Sequence, residues 1–167
     1  VAFSNPPVFS YRPTFQPYVN LWQTTNFYLY LGNTLIVAVI STIVALAIGL
    51  PCAYALSRYG GVSSIILLVM ALIFRALPRF AVVLPMYEIS KALGIYDTTY
   101  ALAAALITIN QPFTIWLLRN FFAEIPRELD EAAMVDGCTR LGVLRRVMIP
   151  LMGPGILTAG IFVFLFA

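Results

Sequence analysis

The sequence predicts an all-α membrane protein, a bundle of helices that crosses the bilayer several times. This prediction rests on the composition, the mean hydropathy and the arrangement of the apolar residues. Of the 167 residues, 61% are hydrophobic and only 10% are charged, and the mean hydropathy is +0.91. Soluble domains are typically about 45–50% apolar and about 25% charged. The apolar residues are also gathered into long runs, as expected for a chain whose solvent is lipid.

Four apolar runs are long enough to cross about 30 Å of hydrocarbon and define the predicted spans. They cover about residues 33–56, 63–86, 100–118 and 147–167. With the segments that join them, we expect them to form a single transmembrane domain over 1–167. The chain starts at Val1 rather than methionine, and its last apolar run continues to Ala167. We therefore expect the chain to be truncated at both ends.

Basic residues are distributed unequally between the two sides of the predicted bundle. The segments 57–62 and 119–146 contain six lysines and arginines, whereas 1–31 and 87–98 contain two. Short loops rich in Lys and Arg stay in the cytoplasm. We therefore expect 119–146 to be cytoplasmic and 1–31 to be extracytoplasmic, in a multi-pass protein of the inner or plasma membrane.

Several function classes are excluded by what the sequence lacks. It contains no histidine, and so it lacks the commonest general base and the commonest metal ligand. Cys52 and Cys138 have no C-x-x-C partner, which favours structural cysteines and no metal site. The formal charge of +3, without a basic cluster, gives no indication of nucleic-acid binding. We expect a protein that is not an enzyme and that needs no cofactor.

A short amphipathic helix is predicted over 126–136, outside the bilayer. Pro126 can occupy its first position, and the acidic Glu128 and Asp130 lie where the helix dipole favours anions. Gly137 is a natural stop. One narrow apolar face repeats at helical spacing. It consists of Ile125, Leu129, Ala132 and Ala133.

The small side chains of this face allow the helix to lie deep in the groove of a partner protein. Glu131, beside the face, is suited to pairing with a cation of that partner. The alternative is an amphipathic helix that rests on the lipid headgroups. Five acidic and five basic residues across 119–146 leave no net attraction to anionic lipid, which weakens this alternative.

Glu131-Ala132-Ala133, followed after three residues by Gly137, resembles the EAA motif of permease subunits in binding-protein-dependent ABC importers. The family pattern ends in Ile-x-Leu-Pro, where this chain has Val147-Met148-Ile149-Pro150, a departure at both apolar positions. The resemblance extends from about residue 15 onward. The segments 125–129, 136–137 and 33–35 are most similar to the carbohydrate-uptake branch, which includes the maltose-transporter inner-membrane permeases.

The resemblance implies a permease-type bundle in which the EAA helix is a coupling helix seated in a cleft of an ATPase. The coupling segment is then 124–146. Its ATPase-facing residues are Arg127, Glu128, Glu131, Ala132, Ala133, Asp136 and Gly137. The family permease usually has six spans, of which this chain holds the second to the fifth. Its partners are two copies of an ATPase subunit, a second homologous permease subunit and an extracytoplasmic solute-binding protein. ATP is bound and hydrolysed by the separate ATPase.

For the transported solute, the resemblance favours a sugar or polyol. Permeases for phosphate, polyamine or peptide are the alternative within the same superfamily. An ion-coupled secondary transporter ranks lower, because such proteins typically need acidic residues inside the membrane. None of the seven acidic residues lies in the core of a predicted span.

Two arginines interrupt the second predicted span. Arg75 and Arg79 are four residues apart, which predicts that they share one helix face. An arginine at membrane depth costs about 2.5–3.5 kcal/mol on insertion scales, and such residues usually face a polar interior. We expect both to line the translocation path, beside carbonyls freed by Pro78. The alternative is a position near the outer interface, where they snorkel or pair with Glu88.

Asn110 and Gln111, which precede Pro112 in the third predicted span, are further candidates for the translocation path. The alternative is that both amides make hydrogen bonds that stabilise a kinked helix.

Overall fold

The computed structural model of the protein describes residues 14–59, 61–76 and 78–167, apart from the side chains of Arg79 and Phe80. Within these residues the chain is helical and has no strand, which confirms the predicted fold class. The first 13 residues of the predicted extracytoplasmic segment lie outside the described part. The chain divides into two compact units, one that reaches to Thr34 and one that covers Leu35–Ala167.

The helices follow the order of the apolar runs. They are α1 (Gln16–Thr24), α2 (Phe27–Arg58), α3 (Val62–Ala76), α4 (Arg79–Ala92), α5 (Thr99–Glu124), α6 (Glu128–Val135), α7 (Arg140–Val143), α8 (Ile149–Leu151) and α9 (Gly153–Phe166). A π-helical segment, Leu144–Met148, joins α7 to α8. In the first unit, the ring of Trp22 in α1 meets the ring of Phe27 edge-on at 5.4 Å.

Two of the helices, α2 and α5, are long and apolar enough to cross a membrane, with 32 and 26 residues. Two helix pairs pass the same test only together and are bent by more than 40° at a short break. The first pair is α3 with α4, and the second joins Arg140–Leu151 to α9. Up to four spans result if each bent pair is one span, so the four predicted spans stay a prediction.

The break between α3 and α4 comes from Pro78. Its backbone is extended, with φ −54° and ψ 133°, and it is the N-cap of α4. A proline has no N–H to donate to the preceding turn, and its ring clashes with a continued helix. Arg75 therefore lies in the last turn of α3, while Arg79 begins α4. The prediction that these arginines share one helix face is wrong, because the helix on which the spacing depends does not continue between them.

The predicted fourth span, 147–167, contains a sharp bend that the hydropathy did not indicate. The helical arm Arg140–Leu151 is bent by 81° from α9. The bend lies at Met152, whose ψ of 5° leaves the helical range. Gly153 and Pro154 follow, and a proline at the start of a helix needs no hydrogen-bond acceptor. Only Gly153–Phe166 continues as an apolar helix beyond the bend.

The core of the second unit lies where the ends of α2 and α5 meet α6 and the arm that follows it. The ring of Tyr54 packs edge-on against Phe122, with 5.6 Å between centroids. The buried cluster consists of Ala53, Tyr54, Leu118, Phe122, Ala133, Val143, Leu144, Met148, Met152 and Ala159. Elsewhere large apolar side chains are exposed along α2, α3 and α9, as expected for surfaces in contact with lipid or with other subunits.

Candidate functional site

The EAA segment forms the short helix α6, which starts two residues later than the predicted helix. Ile125 precedes Pro126 and is extended, with φ −81° and ψ 126°, because a residue before proline is disfavoured in helical conformation. Arg127 is the N-cap. Its carbonyl accepts the backbone N–H groups of Asp130 and Glu131, at 3.0 and 3.2 Å.

The C-terminus of α6 is closed at the predicted glycine. Gly137 has φ +86°, in the left-handed region that only glycine adopts without strain. Its N–H donates to the carbonyl of Met134, and the N–H of Cys138 donates to that of Ala133, each at 3.0 Å. This double hydrogen bond is a Schellman motif, which satisfies carbonyls that a helix end leaves free. It fixes the length of α6 at eight residues.

The two alanines of the EAA segment face in different directions. Ala133 is 8% exposed and belongs to the buried cluster, and Asp130, one turn earlier, is 6% exposed. Ala132 is exposed, and Val135 is 87% exposed. The predicted apolar face is therefore divided, since Ala133 packs inside the chain and Ala132 stays accessible. The remaining predicted ATPase-facing residues are all exposed, namely Arg127, Glu128, Glu131, Asp136 and Gly137.

The buried side of α6 makes polar contacts that sequence reasoning missed. The hydroxyl of Tyr54 donates to Asp130 Oδ1 at 2.8 Å. Arg58 Nε contacts Asp130 Oδ2 as an ion pair rather than as an aligned hydrogen bond. The available signal was Asp130 itself, a carboxylate three residues before Ala133 and hence on the buried face of the helix.

A cavity of about 750 Å³ lies between α3, α4, α5 and α9, and two of the predicted path residues line it. Arg75 enters from α3 and Asn110 from α5. Gln111 instead faces α2, where its Nε2 donates to the carbonyl of Ala45 at 3.3 Å. The Gln111 amide therefore makes a stabilising hydrogen bond, as in the alternative interpretation, but this bond joins α5 to α2. The side chain of Arg79 lies outside the described residues.

The guanidinium of Arg75 lies within cation–π distance of two aromatic rings. Its Cζ lies 4.7 Å from the ring centroid of Phe113 and 5.5 Å from that of Phe166. Within the described part of the chain the ion pairs comprise Arg58–Asp130 alone. The alternative in which Arg75 pairs with Glu88 is thus not formed.

Prolines add acceptors to the cavity wall. Pro112 and Pro85 lie inside helices α5 and α4. Because proline has no N–H, the carbonyl groups four residues earlier, those of Thr108 and Ala81, receive no helical hydrogen bond from them. All four residues line the cavity. Its wall therefore combines the donors of Arg75, the amide of Asn110 and backbone acceptors with apolar side chains.

The residues that the structure describes contain no group of acidic, Cys or His side chains that could hold a metal ion. These features define a membrane-spanning transport component. It has helices that cross a membrane, a cavity with a few polar groups among them, and a helix fixed beside their ends. The chain belongs to the family of binding-protein-dependent transport system inner membrane components, whose model matches residues 45–167. This confirms the resemblance to ABC-importer permeases and the inner-membrane location.

Relatives with assigned roles extend over most of the chain. It is 35% identical to the sulfoquinovosyl glycerol transport system permease protein SmoH of Agrobacterium fabrum, covering 93% of this chain and 55% of SmoH. It is 36% identical to the trehalose transport system permease protein SugB of Mycobacterium tuberculosis, covering 92% of this chain and 56% of SugB. The chain thus spans little more than half the length of these curated relatives.

A solved structure shares the fold. It is the crystal structure of a bacterial ABC transporter involved in the import of the acidic polysaccharide alginate. The TM-score is 0.68 at 26% identity, and the match covers 80% of this chain and 46% of the other.

Proposed function

We propose that this chain forms part of the membrane-spanning subunit of an ATP-driven importer of sugars or polyols, and that α6 couples it to a separate ATPase. The proposed complex contains two copies of the ATPase subunit, a second homologous permease subunit and an extracytoplasmic solute-binding protein. ATP is bound and hydrolysed by the ATPase and not by this chain. The segment 119–146 is then cytoplasmic.

The division of α6 into a buried and an exposed side is the observation that carries the coupling role. Asp130 and Ala133 hold the helix against the ends of α2 and α5, while Glu131, Ala132 and Val135 remain accessible. A short helix with a small, accessible face fits helix-in-groove recognition. Because its other side is bonded to the spans, a partner that moves α6 also moves them. A partner that binds α6 more tightly in one conformation of the spans shifts the equilibrium toward that conformation.

The cavity between α3, α4, α5 and α9 is the proposed part of the translocation path. Sugar hydroxyls both donate and accept hydrogen bonds, and the wall offers Arg75, Asn110 and the carbonyls of Thr108 and Ala81. Phe74 and Phe166 supply apolar surface for the C–H faces of a sugar ring. The names of SmoH and SugB, permease proteins of transport systems for sulfoquinovosyl glycerol and for trehalose, support a carbohydrate.

Among the alternative solutes, the charge of the cavity argues against a polyamine. Arg75 is the charged side chain on the described wall, and its cation repels a cationic solute. For phosphate or a peptide the cavity supplies no comparable argument, and the names of the carbohydrate relatives support a sugar.

The coupling role is tested by charge reversal in the complete importer. We expect Glu131→Lys to abolish co-purification of the ATPase and the ATP hydrolysis that the loaded binding protein stimulates. Glu88→Lys is the matched control, since Glu88 is also an exposed acid but belongs to α4, outside the coupling segment. If Glu131→Lys retains both the bound ATPase and the stimulated hydrolysis, the exposed side of α6 is not the coupling surface.

A further inference from the structure

Three side chains that lie outside the ATPase-facing set and the cavity form a buried polar cluster between α2 and α6. Tyr54 and Arg58 come from the last turns of α2, and Asp130 comes from the first turn of α6. The side chains of Arg58 and Asp130 are 7% and 8% exposed. Such groups are desolvated, and a desolvated charge is stable only while it is paired.

We infer that Arg58 is a positioning residue that locks α6 to the end of α2, so that displacement of α6 is carried into the first long span. This inference rests on the proposed coupling role of α6 and names the internal contact through which coupling passes. The helix α6 then makes two kinds of contact. Its exposed side binds the ATPase, and its buried side is bound to the end of α2.

Arg58 binds α6 and two further elements at once. Its Nε pairs with Asp130, its Nη1 donates to the carbonyl of Ile125 at 3.0 Å, and its Nη2 approaches Met148 Sδ at 3.7 Å. These groups belong to α6, to the end of α5 and to the π-helical segment. Only arginine carries donors in a planar fork that reaches three such partners.

A reciprocal bond strengthens the junction. Arg127, the N-cap of α6, donates through Nη2 to the carbonyl of Ser57 at 3.4 Å. The carbonyls in the last turn of a helix lack intrahelical partners, so this bond satisfies an acceptor that α2 leaves free. The hydroxyl of Tyr54 bonds to the second oxygen of Asp130. Both oxygens of the carboxylate are therefore held by α2.

The apolar surroundings make the junction stiff. Ala53, Phe122, Ala133 and Met148 enclose it, so water has little access to replace a lost partner. In such surroundings the two charges separate only at the cost of leaving one unpaired. A displacement of α6 is therefore expected to draw the paired end of α2 with it rather than to separate the two charges.

The test uses the complete importer in proteoliposomes, with its ATPase and binding protein, and measures uptake and ATP hydrolysis on the same sample. Arg58→Lys keeps the positive charge and removes the planar guanidinium with its separate N–H donors. We expect it to assemble with the ATPase and hydrolyse ATP, while the uptake per ATP hydrolysed falls by about tenfold, within the range of typical site-to-site coupling. Lys91→Arg, an exchange between the same two residue types at an exposed position outside the coupling segment, is the control and leaves this ratio unchanged.

Tyr54→Phe is the second variant, which keeps the ion pair and removes one hydroxyl, and we expect a smaller fall in the same ratio. An unchanged ratio in both variants overturns the inference while the ATPase still binds, so the proposed function survives. A parallel loss of assembly, hydrolysis and uptake also overturns it, since that result means a structural role only. If Arg58→Lys does not fold, the ratio for Tyr54→Phe decides. Failure of the wild-type chain to bind an ATPase overturns the proposed function instead.

Discussion

The guanidinium of Arg75 is held by aromatic faces, those of Phe113 and Phe166, rather than by a carboxylate. Attraction to the ring quadrupole offsets part of the cost of removing the cation from water. This attraction acts on the charge of the guanidinium and does not itself use its N–H donors. Arg75 therefore keeps its donors while it lines the cavity with Asn110.

This arrangement predicts the effect of removing the charge. We expect Arg75→Gln to lower substrate uptake about tenfold, since a hydrogen bond to a charged group contributes about 1.5–3 kcal/mol. Assembly with the ATPase remains intact, because Arg75 contacts Phe113 and Phe166 and lines a cavity whose described wall includes no residue of α6. Uptake is measured in proteoliposomes at a substrate concentration below saturation.

Arg75→Lys separates the two contributions of the side chain. Lysine keeps the charge but lacks the planar guanidinium, so an intermediate rate is expected. Uptake at the wild-type rate in Arg75→Gln would remove Arg75 from the translocation path.

At the scale of single residues, composition and position indicated Arg75 and Asn110, which line the cavity, because a charged or amide side chain inside an apolar run stands out. They did not find Tyr54 and Arg58. Asp130 is 76 residues from Tyr54 in the sequence, and local spacing contains no information about contacts at that distance. Arg58 at the end of an apolar run has the appearance of an ordinary basic loop residue.

At the scale of elements, α9 packs closely against α5 through a glycine. A Cβ built on Gly155 would lie 2.8 Å from Cγ and 3.0 Å from Cβ of Phe121. Small residues at such positions allow helix backbones to approach in membrane proteins. Ala159, one turn later on α9, is also fully buried.

We expect Gly155→Ala to destabilise the full-length protein by about 1–3 kcal/mol, the usual cost of overpacking. Gly160→Ala is the matched control on the same helix, since its nearest new contact, Leu46 Cδ1 at 3.5 Å, is an ordinary one. Thermal unfolding in detergent measures both variants. Phe121→Leu should recover part of the loss in the Gly155→Ala background. Equal melting temperatures for both alanine variants would contradict the packing.

Helix ends and bends were predictable to different degrees. The stop of α6 at Gly137 follows from a local rule, because the left-handed conformation favours glycine. The extended backbone of Ile125 follows from a second local rule, the effect of a proline on the residue before it. That rule does not explain why α6 begins at Glu128 rather than at Pro126. The 81° bend at Met152 has no sequence signal of comparable strength, since prolines near the start of a helix are common.

At the scale of the whole molecule, composition alone indicated a helical membrane protein, because lipid allows few alternatives to helices. The charge asymmetry adds an orientation. The length of α5 shows that it can span the bilayer. Its 26 residues rise about 1.5 Å each, about 39 Å in all, which exceeds the ~30 Å of hydrocarbon. The loop before α5 and the helix α6 after it are therefore expected on opposite sides of the membrane.

Single cysteines test this arrangement in a background that lacks Cys52 and Cys138. Val135→Cys, at the 87% exposed position of α6, is expected to react with a membrane-impermeant maleimide in inside-out vesicles stripped of ATPase, and not in intact cells. Tyr96→Cys, at the 56% exposed position of the loop between α4 and α5, should react only from the outer side. Rebinding the ATPase should protect the cysteine at position 135 and leave that at position 96 unaffected. Labelling of both positions from one side would contradict a membrane-spanning α5, and a reversed pattern would contradict the cytoplasmic location of α6.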